Sequence, residues 1–117
     1  MSQGNDGAPA LDGRRFALRS ERTDAGECVR LLGEMDLSVI GSVDREMRRA
    51  EATDADRIVL DLDELDFLDA SGVRLLLHLN ARSRSNGCRL SITRARSTQV
   101  QRVIELTGVG DVLPFTD

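Results

Sequence analysis

The chain has 117 residues, a formal net charge of −4 at pH 7 and only three aromatic residues, Phe16, Phe67 and Phe115. That length fits a single domain with one core, which must be aliphatic, built from Leu, Ile and Val. The acidic balance, with no basic run interleaved with aromatics, argues against a nucleic-acid groove, and no stretch reads as a signal peptide or a membrane span. The expectation is a soluble, cytoplasmic protein. Apart from His78 every basic residue is arginine, which reads as a coding bias rather than a binding signature. Cys28 and Cys88 lack a C-x-x-C spacing and read as reduced, buried small hydrophobes.

In chain order, Met1 to Gly13 carries Gly, Asn, Asp, Pro and Ser without an apolar run and reads as a flexible tail. Residues 14–117 are left as the domain. Phe16 and Leu18 alternate with arginines, a short strand near a sheet edge. Thr23-Asp24-Ala25-Gly26 is a turn, and Cys28 to Leu32 returns as a second strand, so a hairpin is predicted. Gly33-Glu34-Met35-Asp36 then leaves the sheet. From Leu37 the period becomes helical, with Ile40, Val43, Met47 and Ala50 on one side and Asp44, Arg45, Arg48 and Arg49 on the other. Thr53 to Asp56 breaks that helix.

Arg57 to Leu62 is the most apolar strand, and its Ile58-Val59-Leu60 run predicts a central position covered on both faces. A second helix runs from Ala70 or Ser71 to Ser85, with Val73, Leu76, Leu77 and Asn80 along a stripe that Leu75 and Leu79 widen. Asn86-Gly87 ends it in a left-handed cap. Cys88, Leu90 and Ile92 alternate as a further strand. Ser97 opens a third helix that stops at Gly108, and Val112 to Phe115 is a short packed segment. The order ββαβαβα predicts an α/β domain: a mixed sheet of four to five strands with right-handed parallel crossovers and helices mainly on one side.

Catalysis is not legible in this chain. His78 is its one histidine and reads as a surface or partly packed residue. Asp61, Asp63, Glu64, Asp66 and Asp69 lack the turn glycine and regular spacing of a hard-cation cage, so the run reads as a solvated loop. There is no Gly-rich phosphate loop. No catalytic residue, metal or cofactor is assigned, and the chain reads as a non-enzyme.

The most informative segment is Phe67-Leu68-Asp69-Ala70-Ser71-Gly72-Val73, directly after the Ile58 to Leu62 strand. Such a turn presents a hydroxyl over a helix N-terminus, where unpaired N–H groups and the dipole favour negative charge, including a phosphate. The plainer reading is that Asp69 or Ser71 caps the helix; the two roles are compatible.

Three segments together carry a resemblance. Leu31-Leu32-Gly33-Glu34-Met35-Asp36 looks like an L-x-G-E-L-D loop. The Phe67 to Val73 segment is similar to an F-x-D-S-S-G-L turn after a buried strand, and Leu106-Thr107-Gly108-Val109 resembles a closing L-T-G-L. In this order they resemble the STAS domain family, specifically the small bacterial anti-sigma-factor antagonists, from about Phe16 to Phe115. The resemblance implies a partner switch. The unphosphorylated antagonist binds an anti-sigma factor, a serine kinase with a histidine-kinase-like ATPase fold, and so frees a sigma factor. Phosphorylation at the helix N-terminus breaks the complex.

By that resemblance the partner-binding residues are Gly33, Glu34, Asp36, Asp69, Ala70, Ser71, Gly72 and Arg74. Arg74 and His78 belong to a polar stripe with positions 81 and 82 on the second helix. Gly33 and Gly72 serve tight turns or close partner approach. The departure is Ala70, which stands where the family carries its usual phosphoacceptor. Either Ser71 takes the phosphate instead, or the antagonist is constitutive, or the partner is not a sigma-regulating kinase. The alternative function is a structural subunit of a transporter or signalling assembly; nucleotide binding by the domain ranks last. Homodimerisation stays open, and neither a nucleic-acid partner nor direct membrane binding is expected.

Overall fold

A computed structural model describes residues 16–116; the expected tail, residues 1–13, lies outside the described residues. Strands β1 (Phe16–Thr23) and β2 (Gly26–Met35) form the predicted hairpin, in register from Phe16↔Gly33 to Thr23↔Gly26. A 3-10 turn (Leu37–Val39) leads into α1 (Ile40–Glu51). Then come β3 (Arg57–Asp61), β4 (Leu65–Leu68) and α2 (Ala70–Asn86), which ends at Gly87 in the left-handed conformation the sequence predicts. Strand β5 (Arg89–Thr93), α3 (Thr98–Thr107), a 3-10 turn (Val109–Asp111) and β6 (Phe115–Thr116) complete the chain.

The sheet is mixed, as expected, and among the described residues it has six strands rather than four or five. Its order is β1-β2-β3-β5-β6, and β4 pairs with β2 beyond the end of β3. Only β1 is antiparallel to its neighbour; the other ladders are parallel.

Three local expectations are corrected. The acidic run after β3 is not a simple solvated loop, because Leu65 and Leu68 anchor β4 within it with no exposed surface. Nor does β2 leave the sheet at Gly33. It continues to Met35 through a register shift between Gly33 and Glu34, where Gly33 adopts φ +89°. Only glycine enters that region without strain, and the shift falls within the ladder with β4, where Gly33 pairs with Leu65 and Glu34 with Phe67. Finally, β3 is central but not covered equally on both sides. Ile58 and Leu60 are buried, whereas Arg57, Val59 and Asp61 are half-buried. The same alternation runs along β2, where Val29 and Leu31 are buried and Cys28, Arg30 and Leu32 only partly so. The helices therefore cover one face, and Arg30 and Asp61 form an ion pair at 3.1 Å on the other.

The core joins Val29, Leu31, Leu60 and Ile92 of the sheet to Val43 and Met47 of α1 and to Leu76 and Leu79 of α2. Aliphatic burial of this kind stabilises by about 25 cal/mol per Å², and it fixes where the strand ends emerge. Both cysteines are half-exposed rather than buried, and Cys88 precedes β5 instead of lying inside it. Partial burial still pushes both thiols up from their ordinary value, so they remain protonated at neutral pH.

Candidate functional site

The site forms where β2 and β4 end side by side, with Glu34 opposite Phe67 and Met35 opposite Leu68. Each strand is followed by an aspartate in extended backbone, Asp36 at φ −128°, ψ −175° and Asp69 at φ −113°, ψ −174°. Each aspartate caps the helical turn after it. Asp36 Oδ1 accepts from the Ser38 amide at 2.9 Å and the Ser38 hydroxyl at 2.5 Å. Asp69 Oδ1 accepts from the Gly72 amide at 3.1 Å and the Ser71 hydroxyl at 2.6 Å. Such caps satisfy N–H groups that a helix start otherwise leaves unpaired.

Packing aims the second turn. Gly72 is buried in the first turn of α2, and a Cβ built there would overlap Leu68 Cδ1 and reach Met35 Cγ at 3.5 Å. The missing side chain lets α2 sit down on the ends of β2 and β4. Gly72 is therefore a packing glycine, and Gly33 a bulge glycine.

Among the described residues, strand β4 has no neighbouring strand on its outer side, and side chains of α3 take that place. The Gln99 amide spans both backbone groups of Leu68, donating to its carbonyl at 3.2 Å and accepting from its N–H at 3.0 Å. Ser97, the N-cap of α3, donates to the Asp66 carbonyl at 3.0 Å. Covering an edge in this way removes a template for stray strand pairing. Gln99→Ala orphans both groups of Leu68, and the expected loss is about 1–3 kcal/mol. Urea titration measures it, and hydrogen exchange should show the Leu68 amide newly exposed; an unchanged exchange rate would contradict this role.

The structure thus brings Gly33, Glu34 and Asp36 next to Asp69, Ala70, Ser71 and Gly72. Ala70 and Arg74 are exposed on the first turns of α2. Arg82 is not part of the exposed stripe with Arg74 and His78. It turns to α1, where its guanidinium meets Asp44 at 3.0 Å and Glu51 at 2.8 Å. A shallow depression of about 530 Å³ lies over the junction, lined by Glu34, Asp36, Leu37, Ser38, Phe67 and Asp69. Sequence reading missed Leu37 and Ser38. The signal available was the repeated Asp-x-Ser after an apolar residue, Met35-Asp36-Leu37-Ser38 and Leu68-Asp69-Ala70-Ser71.

The carboxylates of the acidic run are spread rather than focused. Asp61 pairs with Arg30, and Asp63 with Arg96 at 3.1 Å. Among the described residues, no helix is long and apolar enough to cross a membrane.

Solved structures of similar fold include an anti-sigma factor antagonist from Mycobacterium paratuberculosis, 22% identical with a TM-score of 0.76, the match covering 92% of this chain and 89% of that one. The Bacillus cell fate determinant SpoIIAA in its phosphorylated form is 24% identical with a TM-score of 0.62, covering 87% and 89%. An anti-sigma-factor antagonist domain protein from Planctomyces limnophilus is 14% identical with a TM-score of 0.66, covering 86% and 88%. At these identities the likeness is one of fold. Residues 18–114 match the family model described as Mlab, STAS domain, and with nearly the whole folded chain inside that match, the protein belongs to the STAS domain family.

Proposed function

We propose that this protein is an anti-sigma-factor antagonist, a non-enzymatic binding module that engages a kinase-like anti-sigma factor and so releases a sigma factor. The observation that carries this reading is the convergence of two segments distant in sequence, Gly33–Asp36 and Asp69–Arg74, at the ends of β2 and β4, where Asp36 and Gly72 are buried beneath an open depression and Ala70 and Arg74 are exposed. The names borne by the solved proteins of like fold support it.

Control by phosphorylation at position 70 is chemically excluded, since the alanine methyl accepts no phosphate. Ser71 is the remaining hydroxyl of the turn, and its proton is already donated to Asp69. A phosphate there would carry about −1.5 to −2 charge and face the carboxylate that now accepts its hydrogen bond. The cap and the partner contact would both suffer. Ser71→Asp is accordingly expected to weaken partner binding while Ser71→Ala does not. An uncompensated charge in such an interface costs about 2–5 kcal/mol, tens to thousands of fold in affinity. Calorimetric titration of both variants decides it, and equal affinities would remove Ser71 from any switch.

The exposed Ala70 methyl favours a second reading, a STAS subunit of a transporter or signalling assembly without phosphoryl control. A tagged pull-down from the native cytoplasm, with the peptide spanning Asp69–Arg74 read by mass spectrometry, separates the two. Recovery of a small kinase-like ATPase supports the antagonist. Recovery of transporter or scaffold subunits, with the peptide always unmodified, supports the assembly subunit.

A further inference from the structure

The two capped turns are near copies of one another. Met35 and Leu68 are register partners, Asp36 and Asp69 share a backbone conformation, and Ser38 and Ser71 each donate back to the aspartate two residues earlier. Leu37 and Ala70 therefore hold equivalent positions, the residue immediately after the cap, and both are exposed. Leu37 is 75% exposed, and of the described leucines only Leu106, at 77% on α3, is comparably open.

Phe67 lies on the strand between them, 36% exposed, and lines the same depression as Leu37. Two large apolar side chains on one side of a shallow concavity are the composition of an interface centre. The surroundings are acidic. Among the described residues that line the depression, Glu34, Asp36 and Asp69 are the charged ones and none is basic, and exposed Glu64 and Asp66 precede Phe67 in the chain. Glu34, Glu64 and Asp66 make no ion pair among the described residues.

Resting on the antagonist reading, we propose that Leu37 and Phe67, continued by the Ala70 methyl, are the apolar anchor of the partner interface. Their counterpart is an apolar cleft rimmed by arginine or lysine. The apolar part supplies affinity through burial, and the carboxylate rim supplies orientation and a fast, salt-sensitive approach. Ala70 gains a role in this arrangement: a side chain with no modifiable group keeps the anchor permanently available. The chain is thereby specialised for constitutive engagement, governed by partner supply instead of by a charge placed at position 70.

The test is calorimetric titration of the full chain into the purified histidine-kinase-like ATPase recovered with it. Leu37→Asp and Phe67→Ala are each expected to weaken binding by about tenfold or more. Leu37→Ala serves as a milder second variant, and thermal melts check that each variant folds. Raising NaCl from about 0.05 to 0.5 M should weaken the wild-type complex severalfold, and Glu34→Gln with Asp66→Asn should flatten that dependence. If the wild-type chain binds the ATPase but folded Leu37 and Phe67 variants bind equally well, the anchor is wrong and the antagonist reading stands. If the wild-type chain does not bind the ATPase at all, the antagonist reading falls and the anchor with it.

Discussion

Leu68→Ala should lower the unfolding free energy by about 2–5 kcal/mol, and Gly72→Ala, harmful in the wild-type background, should recover part of that loss. Leu68 is fully buried, and its Cδ1 occupies the space that a Cβ on Gly72 would need. Alone, Gly72→Ala overpacks this contact at a cost of about 1–3 kcal/mol, offset by up to about 1 kcal/mol because alanine is the better helix former. With Leu68 truncated the new methyl enters the vacated space, so only the gain remains. A double-mutant cycle by urea denaturation should return a coupling of about 1–3 kcal/mol. Strict additivity would mean that the two residues do not share this space. The functional corollary is that Gly72→Ala alone lifts the first turn of α2 and displaces Asp69 and Ala70 from their place beside Asp36.

The second large effect belongs to Arg82, which ties α2 to α1. Its Nε reaches the Glu51 carboxylate at 2.8 Å and its Nη1 reaches Asp44 at 3.0 Å, while Arg48 holds the other Asp44 oxygen at 3.0 Å. Burial alone would push the Asp44 carboxyl up, yet hydrogen bonds from Arg48 and Arg82, aided by their charge, hold it below its ordinary value. Arg82→Ala leaves two partly buried carboxylates without this partner, and the expected cost near neutral pH is about 1.5–3 kcal/mol. The loss stays moderate because Nη2 is buried without an acceptor among the described residues, so the arginine itself is imperfectly satisfied. The pH dependence has a definite sign. A carboxyl whose folded pKa lies below its unfolded one, about 3.9, stabilises fully above the unfolded value. That stabilisation is lost as the pH falls through the folded value. The wild-type advantage over Arg82→Ala should therefore be constant from about pH 6 to 8 and shrink below about pH 4. Urea midpoints across that range measure it, and a difference that widens in acid would contradict the assignment.

The parts of the fold legible in the sequence were those with strong local signals. The helical stripe of α1, the Gly87 and Gly108 caps and the alternation in β5 each follow from residues close together in the chain. Strand β4 was hidden because its four residues are flanked by carboxylates, and its place depends on a shift at Gly33 that no local pattern announces. The continuous apolar run in β3 overstated its burial, since Val59 lies on the face the helices leave open. At the site, Asp36, Asp69 and Gly72 could be named from motif spacing, and Leu37 only from the repeat of the two turns. Gln99 could not, because its role exists only once β4 and α3 meet. Arg82 was misplaced for a similar reason: helical spacing puts it beside His78, but a long side chain goes where its counter-charges are.

Strand β2 ties the site to the rest of the sheet. It belongs to three ladders, with β1 over Gly26–Gly33, β3 over Glu27–Arg30 and β4 over Gly33–Met35. Freeing Glu27–Arg30 breaks pairing with β1 and β3 together, whereas the Glu34–Met35 end is held by β4. Opening of the Glu27–Arg30 stretch must then cost more free energy than opening of the outer strands. The kinetics share this origin: β2 can complete its parallel ladders only after α1 and the β3–β4 loop have closed over it, a loop-closure cost met before those contacts reward it. A nascent chain that has not yet paired β2 with β4 thus has no binding surface, and partner capture reports on that pairing.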